Sequence, residues 1–185
     1  MTDRRPGEPV QVRPMVAADH ATVVALNDAE VPRVGPLGAH GLPALLAHGD
    51  LALVAERAGA LAGFVLAIAP GAAYQSPNYR FFERRGTDHL YVDRLLTAPA
   101  HRRAGVASAL SDAVEVRARG TGRTEVTCEV NVRPMNRASL EFHTARGFVE
   151  VGRQDTGGGA LTVALLARTL PLTAANPAQR TPGHG

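Results

Sequence analysis

The chain of 185 residues contains no lysine, no tryptophan and one cysteine, Cys128. A single thiol excludes an internal disulfide; set in an apolar run, it reads as a small buried hydrophobe, with a redox or catalytic role as the alternative. Apolar residues make up 45% of the sequence but fall in short runs, none near the roughly 20 residues needed to span a bilayer. The polar opening MTDRRPGEPV also lacks the apolar segment of a signal peptide, so the expectation is a cytoplasmic protein without a membrane partner. Lysine-rich tracts and arrays of stacking aromatics are missing as well. The net charge of +3 and the pI near 9.7 come from arginines spread along the chain and mixed with Asp and Glu. That distribution argues against nucleic acid as a partner, and a small anionic ligand accounts for a local excess equally well.

What is present suits one domain, expected over residues 9–171, with tails at 1–8 and 172–185. Alternation predicts a first strand over 10–16, and periodicity a helix over 18–30. A Pro/Gly-rich connection follows, then a short helix over 42–48. Residues 51–57 and 61–70 read as a hairpin of buried strands. The segment 71–88 is longer than its connection needs and holds four of the eight aromatic residues: Tyr74, Tyr79, Phe81 and Phe82. Its two readings are an acceptor-binding loop and a small packing helix.

The most informative stretch is His89 to Gly120. A β-rich run, 89–97, passes through a Pro-containing turn into Arg102-Arg103-Ala104-Gly105-Val106-Ala107, where a long helical pattern begins. The first turn of a helix carries unpaired N–H groups and a partial positive charge. Gly105 and Ala107 leave those amides open, and Arg102 and Arg103 add charge beside them, an arrangement suited to a pyrophosphate. The spacing is neither the dinucleotide fingerprint nor a Walker loop.

This hexapeptide resembles the acyl-CoA-binding motif of the GNAT superfamily of N-acetyltransferases, Gln/Arg-x-x-Gly-x-Gly/Ala. After another strand-like run, 123–132, the residues from Asn136 through Ser139, Phe142 and His143 to Gly147-Phe148 resemble the superfamily's second motif, Asn-x-x-Ala/Ser-x-x-Leu/Phe-Tyr-x-x-x-Gly-Phe. The resemblance covers roughly residues 10–170. It implies a mixed α/β fold with a mostly antiparallel sheet of about seven strands and a splay between the two motif strands. The last two of these would be 148–154 and 160–170, joined through Gly157-Gly158-Gly159.

The resemblance further implies transfer of an acetyl group from acetyl-CoA, without a metal, to a primary amine of a small molecule. Acetylation of a protein N-terminus or lysine, and a noncatalytic acyl-CoA-binding module, are the alternatives. Dimers are common among similar proteins, which makes a homodimer an available assembly. Backbone groups around Leu95, Leu96 and Thr97 would meet pantetheine; Arg102, Arg103, Ala104, Gly105, Val106 and Ala107 the pyrophosphate; Asn136 and Ser139 the cofactor arm. Regular alternation puts Tyr91, Asp93, Leu95 and Thr97 on one face of the first motif strand, and Leu90, Val92, Arg94 and Leu96 on the other. Asp93 is the expected base, helped by Glu129 through water, or else an ion-pair partner of an arginine. Asn78, Tyr79, Phe82, Tyr91 and Asn131 are the expected acceptor contacts. His143 stands where the family usually has tyrosine; it is expected to donate a proton to the departing sulfur, with simple packing as the alternative.

Overall fold

Alternation along short apolar runs produces seven strands, which the computed structural model assembles into one open sheet ordered β1-β2-β3-β4-β5-β7-β6. Residues 8–31 and 33–171 are described; apart from Glu8, both expected tails lie outside them. The strands are β1 (Gln11–Pro14), β2 (Leu51–Arg57), β3 (Ala60–Ile68), β4 (His89–Thr97), β5 (Glu125–Arg133), β6 (Val149–Thr156) and β7 (Leu161–Thr169). The helices are α1 (His20–Asp28), α2 (Gly38–Leu46), α3 (Pro77–Arg85), α4 (Val106–Gly120) and α5 (Arg137–Ala145). Every strand pair is antiparallel except β4 with β5, which are joined by the crossover through α4.

Both faces of the sheet are covered. On one, Val106, Leu110, Val114 and Ala118 recur every four residues along α4 and pack on Ala55, Val65, Leu90 and Val126. On the other, Val23 of α1, Leu42 of α2 and Tyr79 and Phe82 of α3 pack on Phe64, Ile68, Tyr91 and Leu165. Arg146, at the end of α5, donates to Glu115 of α4 at 2.9 Å and lies over the Phe142 ring, which ties the second motif helix to the first.

Of the two readings of residues 71–88 a helix is found, and one helix starts earlier than expected. Residues 77–85 form a helix: the Ser76 hydroxyl accepts from the Tyr79 amide, Pro77 occupies the first turn, and Gly86 closes it in the left-handed region at φ 68°. Helix α2 begins at Gly38, four residues before the expected start, because the Asp28 carboxylate accepts from the amides of Leu37 and Gly38 at 2.8 and 3.1 Å. A remote side chain thus does what a local cap would do.

The decisive irregularity lies in β4. Leu66 of β3 pairs with Arg94 and Ala67 with Val92, so Asp93 is an extra residue, a β-bulge. The bulge overturns the regular alternation expected along this strand. Beyond it Leu95 packs with Leu90 and Val92 on the α4 side, while Leu96 joins Tyr91 on the opposite side, with Arg94 two residues before it. The parallel pairing with β5 ends at the same place, at Val92 opposite Cys128. From there the two motif strands diverge.

Gly63 pairs with Thr97 at the far end of the diverging segment, and a Cβ there would overlap the Leu96 carbonyl and come within 2.8 Å of Val106 Cγ1. Gly152 would instead press on the Phe81 ring at 2.5 Å, and that ring can move. Chemical denaturation should therefore show Gly63→Ala losing about 2–3 kcal/mol, and Gly152→Ala about 1 kcal/mol or less.

Candidate active site

The divergence of β4 and β5 opens the sheet, and two cavities meet in the gap. The smaller, of about 300 Å³, lies on the α1–α3 side and is lined by Tyr74, Asn78, Asp93, Arg94, Glu129 and Asn131, among others. The larger, of about 940 Å³, runs from the gap along the start of α4 and the first turns of α5. Leu95, Asn136, Ser139 and His143 border both, as do Arg33 and Val34 of the connection between α1 and α2. The Asn131 side chain donates to the Arg33 carbonyl at 3.2 Å, fixing that connection over β5 as a strap.

Asp93 and Glu129 form a shielded acid pair, each held by a tyrosine. Tyr74 donates to Asp93 Oδ1 at 2.8 Å and Tyr91 to Glu129 Oε2 at 2.7 Å. Burial, reinforced by the neighbouring Asp93 charge, pushes the Glu129 carboxyl up to about 7, against the opposing hydrogen bonds from Tyr91 and Asn78. Burial also raises Asp93, while Arg94 and the Tyr74 hydroxyl pull it down. Near neutral pH the pair can accept a proton, as a general base must.

His143 is buried between Phe142 and Phe148, whose rings stand edge-on at 5.2 and 5.1 Å. Its Nδ1 lies 2.8 Å from the Ser139 carbonyl, one helical turn back. A carbonyl only accepts, so Nδ1 carries the proton and the neutral ring offers Nε2 as an acceptor. Burial lowers the pKa and favours that neutral form. Proton donation to sulfur from Nε2, the expected role, requires the cationic ring, which burial disfavours.

A family model described as "Acetyltransferase (GNAT) family" matches residues 24–148. The chain belongs to the GNAT acetyltransferase family. It is an acyl-CoA-dependent acyltransferase that acts with acetyl-CoA. No curated protein matches the sequence. Among solved structures, it is similar to Arabidopsis thaliana NAA60 in complex with a bisubstrate analogue, with 17% identity, 89% of this chain and 100% of that one covered, and a TM-score of 0.70. The ribosomal-protein-alanine N-acetyltransferase of Brucella melitensis is 20% identical over 86% of this chain and 99% of its own, with a TM-score of 0.65. The IAA acetyltransferase of Bacillus cereus is 14% identical over 88% and 100%, with a TM-score of 0.62.

The larger cavity has features that suit an elongated ligand carrying an anionic group, as acetyl-CoA does. Gly105 is left-handed at φ 83°, with nothing within 4 Å of where a Cβ would project, and Arg103 is left-handed too, at φ 61°. Successive amides in such a turn converge on an anion. The buried Thr97 hydroxyl has no partner among the described residues and borders the same space. Leu95, Leu96, Arg102, Val106 and Ala107 line it as well, but Ala104 does not. Arg102 is already paired with Glu30. Asn136 caps α5 by accepting from the Ser139 amide at 3.2 Å. Among the described residues, no group of three or more His, Cys, Asp or Glu is placed to hold a metal ion.

The expected acceptor contacts divide. Asn78 and Asn131 line the smaller cavity, Asn78 accepting from Gln154. Tyr79 and Phe82 line neither cavity, correcting their expected role. Tyr79 is buried and donates to the Ala69 carbonyl at 2.8 Å while accepting from the Ala72 amide at 2.9 Å, and Phe82 is fully buried against His89 and Tyr91. Tyr91 is likewise buried, lining neither cavity and acting only behind Glu129. Sequence reasoning missed Tyr74 and Arg94 as site residues. Tyr74 belongs to the aromatic cluster of residues 71–88, whereas regular alternation puts Arg94 on the opposite face, and only the bulge brings it round.

The raised pKa of Glu129 has a cost in stability. Between the usual carboxylate range and about 7, folding takes up a proton. The associated stability is present at low pH and lost as pH rises through about 7. Urea denaturation from about pH 5 to pH 8 should show a smaller loss for Glu129→Gln than for the unaltered protein.

Proposed function

We propose that this enzyme transfers the acetyl group of acetyl-CoA directly to the primary amine of a small molecule. The observation that carries the reading is the meeting of the two cavities at Leu95, Asn136, Ser139 and His143, with the acid pair in the smaller one. An amine in the smaller cavity approaches the gap from the α1–α3 side; a thioester carried along the larger cavity reaches it from α4. The ammonium first gives one proton to the Asp93–Glu129 pair; the freed amine nitrogen then attacks the carbonyl carbon, the carbon–sulfur bond breaks with sulfur departing as thiolate, and the second nitrogen proton passes to that thiolate or to water.

The raised pKa makes that proton transfer feasible. From an alkylammonium of pKa about 10 to an ordinary carboxylate near 4.3, it is uphill by about 8 kcal/mol. To a carboxylate near 7 it is uphill by about 4 kcal/mol. The sulfur needs less help, because a thiol of pKa about 8.5 leaves readily as thiolate. His143 accordingly serves as a hydrogen-bond acceptor at the junction, not as the acid.

A polypeptide acceptor has relatives on its side, among them the Brucella melitensis ribosomal-protein-alanine enzyme. The strap through Arg33 and Val34 and the side chains of Tyr74 and Ser76 border the smaller cavity and support a small acceptor instead. A module that only binds acyl-CoA would have no use for a shielded acid pair beside the gap.

Thiol release from acetyl-CoA above the hydrolysis background, in mixtures of small primary amines, tests the reaction; release with peptides alone would sink the small-molecule reading. The acceptor kcat/KM should rise with pH through an apparent pKa near 7, since the deprotonated pair is the active form. Glu129→Gln should lower it by roughly 10²-fold and remove that limb. In calorimetry, Gly105→Glu should abolish acetyl-CoA binding while the protein stays folded, because it places an anion among the converging amides. Unchanged affinity would refute the pyrophosphate assignment.

A further inference from the structure

Arg94 lines the smaller cavity beside the acid pair, its side chain only 16% exposed. Other partly buried arginines here donate to carboxylates: Arg85 to Glu125, Arg123 to Asp88 and Arg146 to Glu115. Arg94 does not. It forms an ion pair with Asp93, the alternative expected for that residue, with Nε 3.2 Å from Oδ2, but the two are not aligned as donor and acceptor, and each of these atoms is left without a hydrogen bond. No hydrogen bond links its two terminal nitrogens to an acceptor among the described residues. A shielded guanidinium with unused N–H groups is costly unless something supplies acceptors.

The strap packs close to one side of that fork. Gly35 of the strap lies over it, and a Cβ there would be 3.3 Å from Nη2. The Gly35 backbone is not left-handed, so no torsional reason calls for glycine at this position. The room it leaves is room for the guanidinium.

We propose that Arg94 binds a carboxylate on the acceptor, so that the acceptor is an amino acid or a comparable aminocarboxylate. The inference rests on the amine-acetylation reading above. A guanidinium presents paired N–H groups in the plane and spacing that a carboxylate matches. Asp93 and Arg94 are consecutive residues of one bulge facing one small cavity, so the amine and the anion they receive are only a few bonds apart. The charges agree: the ammonium group meets the acid pair and the carboxylate meets Arg94, and a ligand without net charge disturbs neither balance. A diamine would leave Arg94 without an acceptor and bring a second positive charge against it.

The test uses matched acceptors: glycine, alanine, leucine and phenylalanine, each beside its carboxamide and its decarboxylated amine, with thiol release from acetyl-CoA as the readout. The best amino acid should exceed both of its partners by at least about tenfold in kcat/KM, the scale of a charge-assisted hydrogen bond. Arg94→Gln should bring the ratio of acid to amide close to one. Gly35→Val, which displaces the guanidinium without removing it, should shrink the same ratio and covers the case in which Arg94→Gln folds poorly. If amides or simple amines react as well as the acids, or the ratio survives Arg94→Gln, the carboxylate assignment is overturned while acetyl transfer to amines stands. If protein that binds acetyl-CoA in calorimetry releases no thiol with any member of the set, both readings fall together.

Discussion

One extra residue in β4 sets the geometry on which the site depends. Asp93 has no partner on β3, and the bulge it makes turns the end of β4 away from β5 just where their parallel pairing stops. A bulge bends its strand and breaks the alternation of side chains. Both effects are used. The bend opens the sheet between two strands that would otherwise be hydrogen-bonded to their ends, and the broken alternation brings Asp93 and Arg94 into one cavity on the α1–α3 side. Leu95 turns toward the α4 side and borders both cavities. Without the bulge, Arg94 would point toward α4 and the acid pair would be without its cation.

The polar groups around the gap are stabilised unevenly, and the unevenness separates scaffold from site. Asp28, Asn27 and Asn131 are used to fix the strap: Asp28 takes two amides at the start of α2, Asn27 donates to the Gly35 carbonyl at 2.9 Å, and Asn131 donates to Arg33. The Asp28 carboxyl is lowered chiefly by the Leu37 amide, as expected of a carboxylate satisfied by its own fold. Asp93 receives the Tyr74 hydroxyl and Glu129 the Tyr91 hydroxyl and the Asn78 side chain, and burial raises both in spite of these donors. Carboxylates left short of donors in a shielded place weaken the fold at neutral pH, a cost that structural ion pairs such as Arg13 with Asp19 avoid.

The ends of the gap are held by conventional packing. Helix α4 lays an apolar stripe across five strands, and Arg146 joins α5 to it. His143 sits between two phenylalanines with Nδ1 tied to the Ser139 carbonyl. A ring so clamped has one free nitrogen in a fixed place, and its tautomer follows from the helix backbone alone. The motif position keeps its location beside both cavities while its proton inventory differs from that of a tyrosine.

Much of this protein was determined by the sequence itself. Strand and helix periodicities and the Gly105 turn before α4 are local signals with local causes, and two motifs in order were enough to imply the seven-stranded fold. The tertiary structure decided what depends on distant partners. Residues 77–85 had helix signals of their own, but only packing against Tyr91 and His89 shows Tyr79 and Phe82 to be core rather than acceptor contacts. The early start of α2 needed the Asp28 carboxylate ten residues away. The bulge is a property of register between β3 and β4, and no composition within β4 announces it. Since a one-residue shift exchanges the faces of a strand, the position of Arg94, and with it the charge of the acceptor cavity, could come only from the paired sheet.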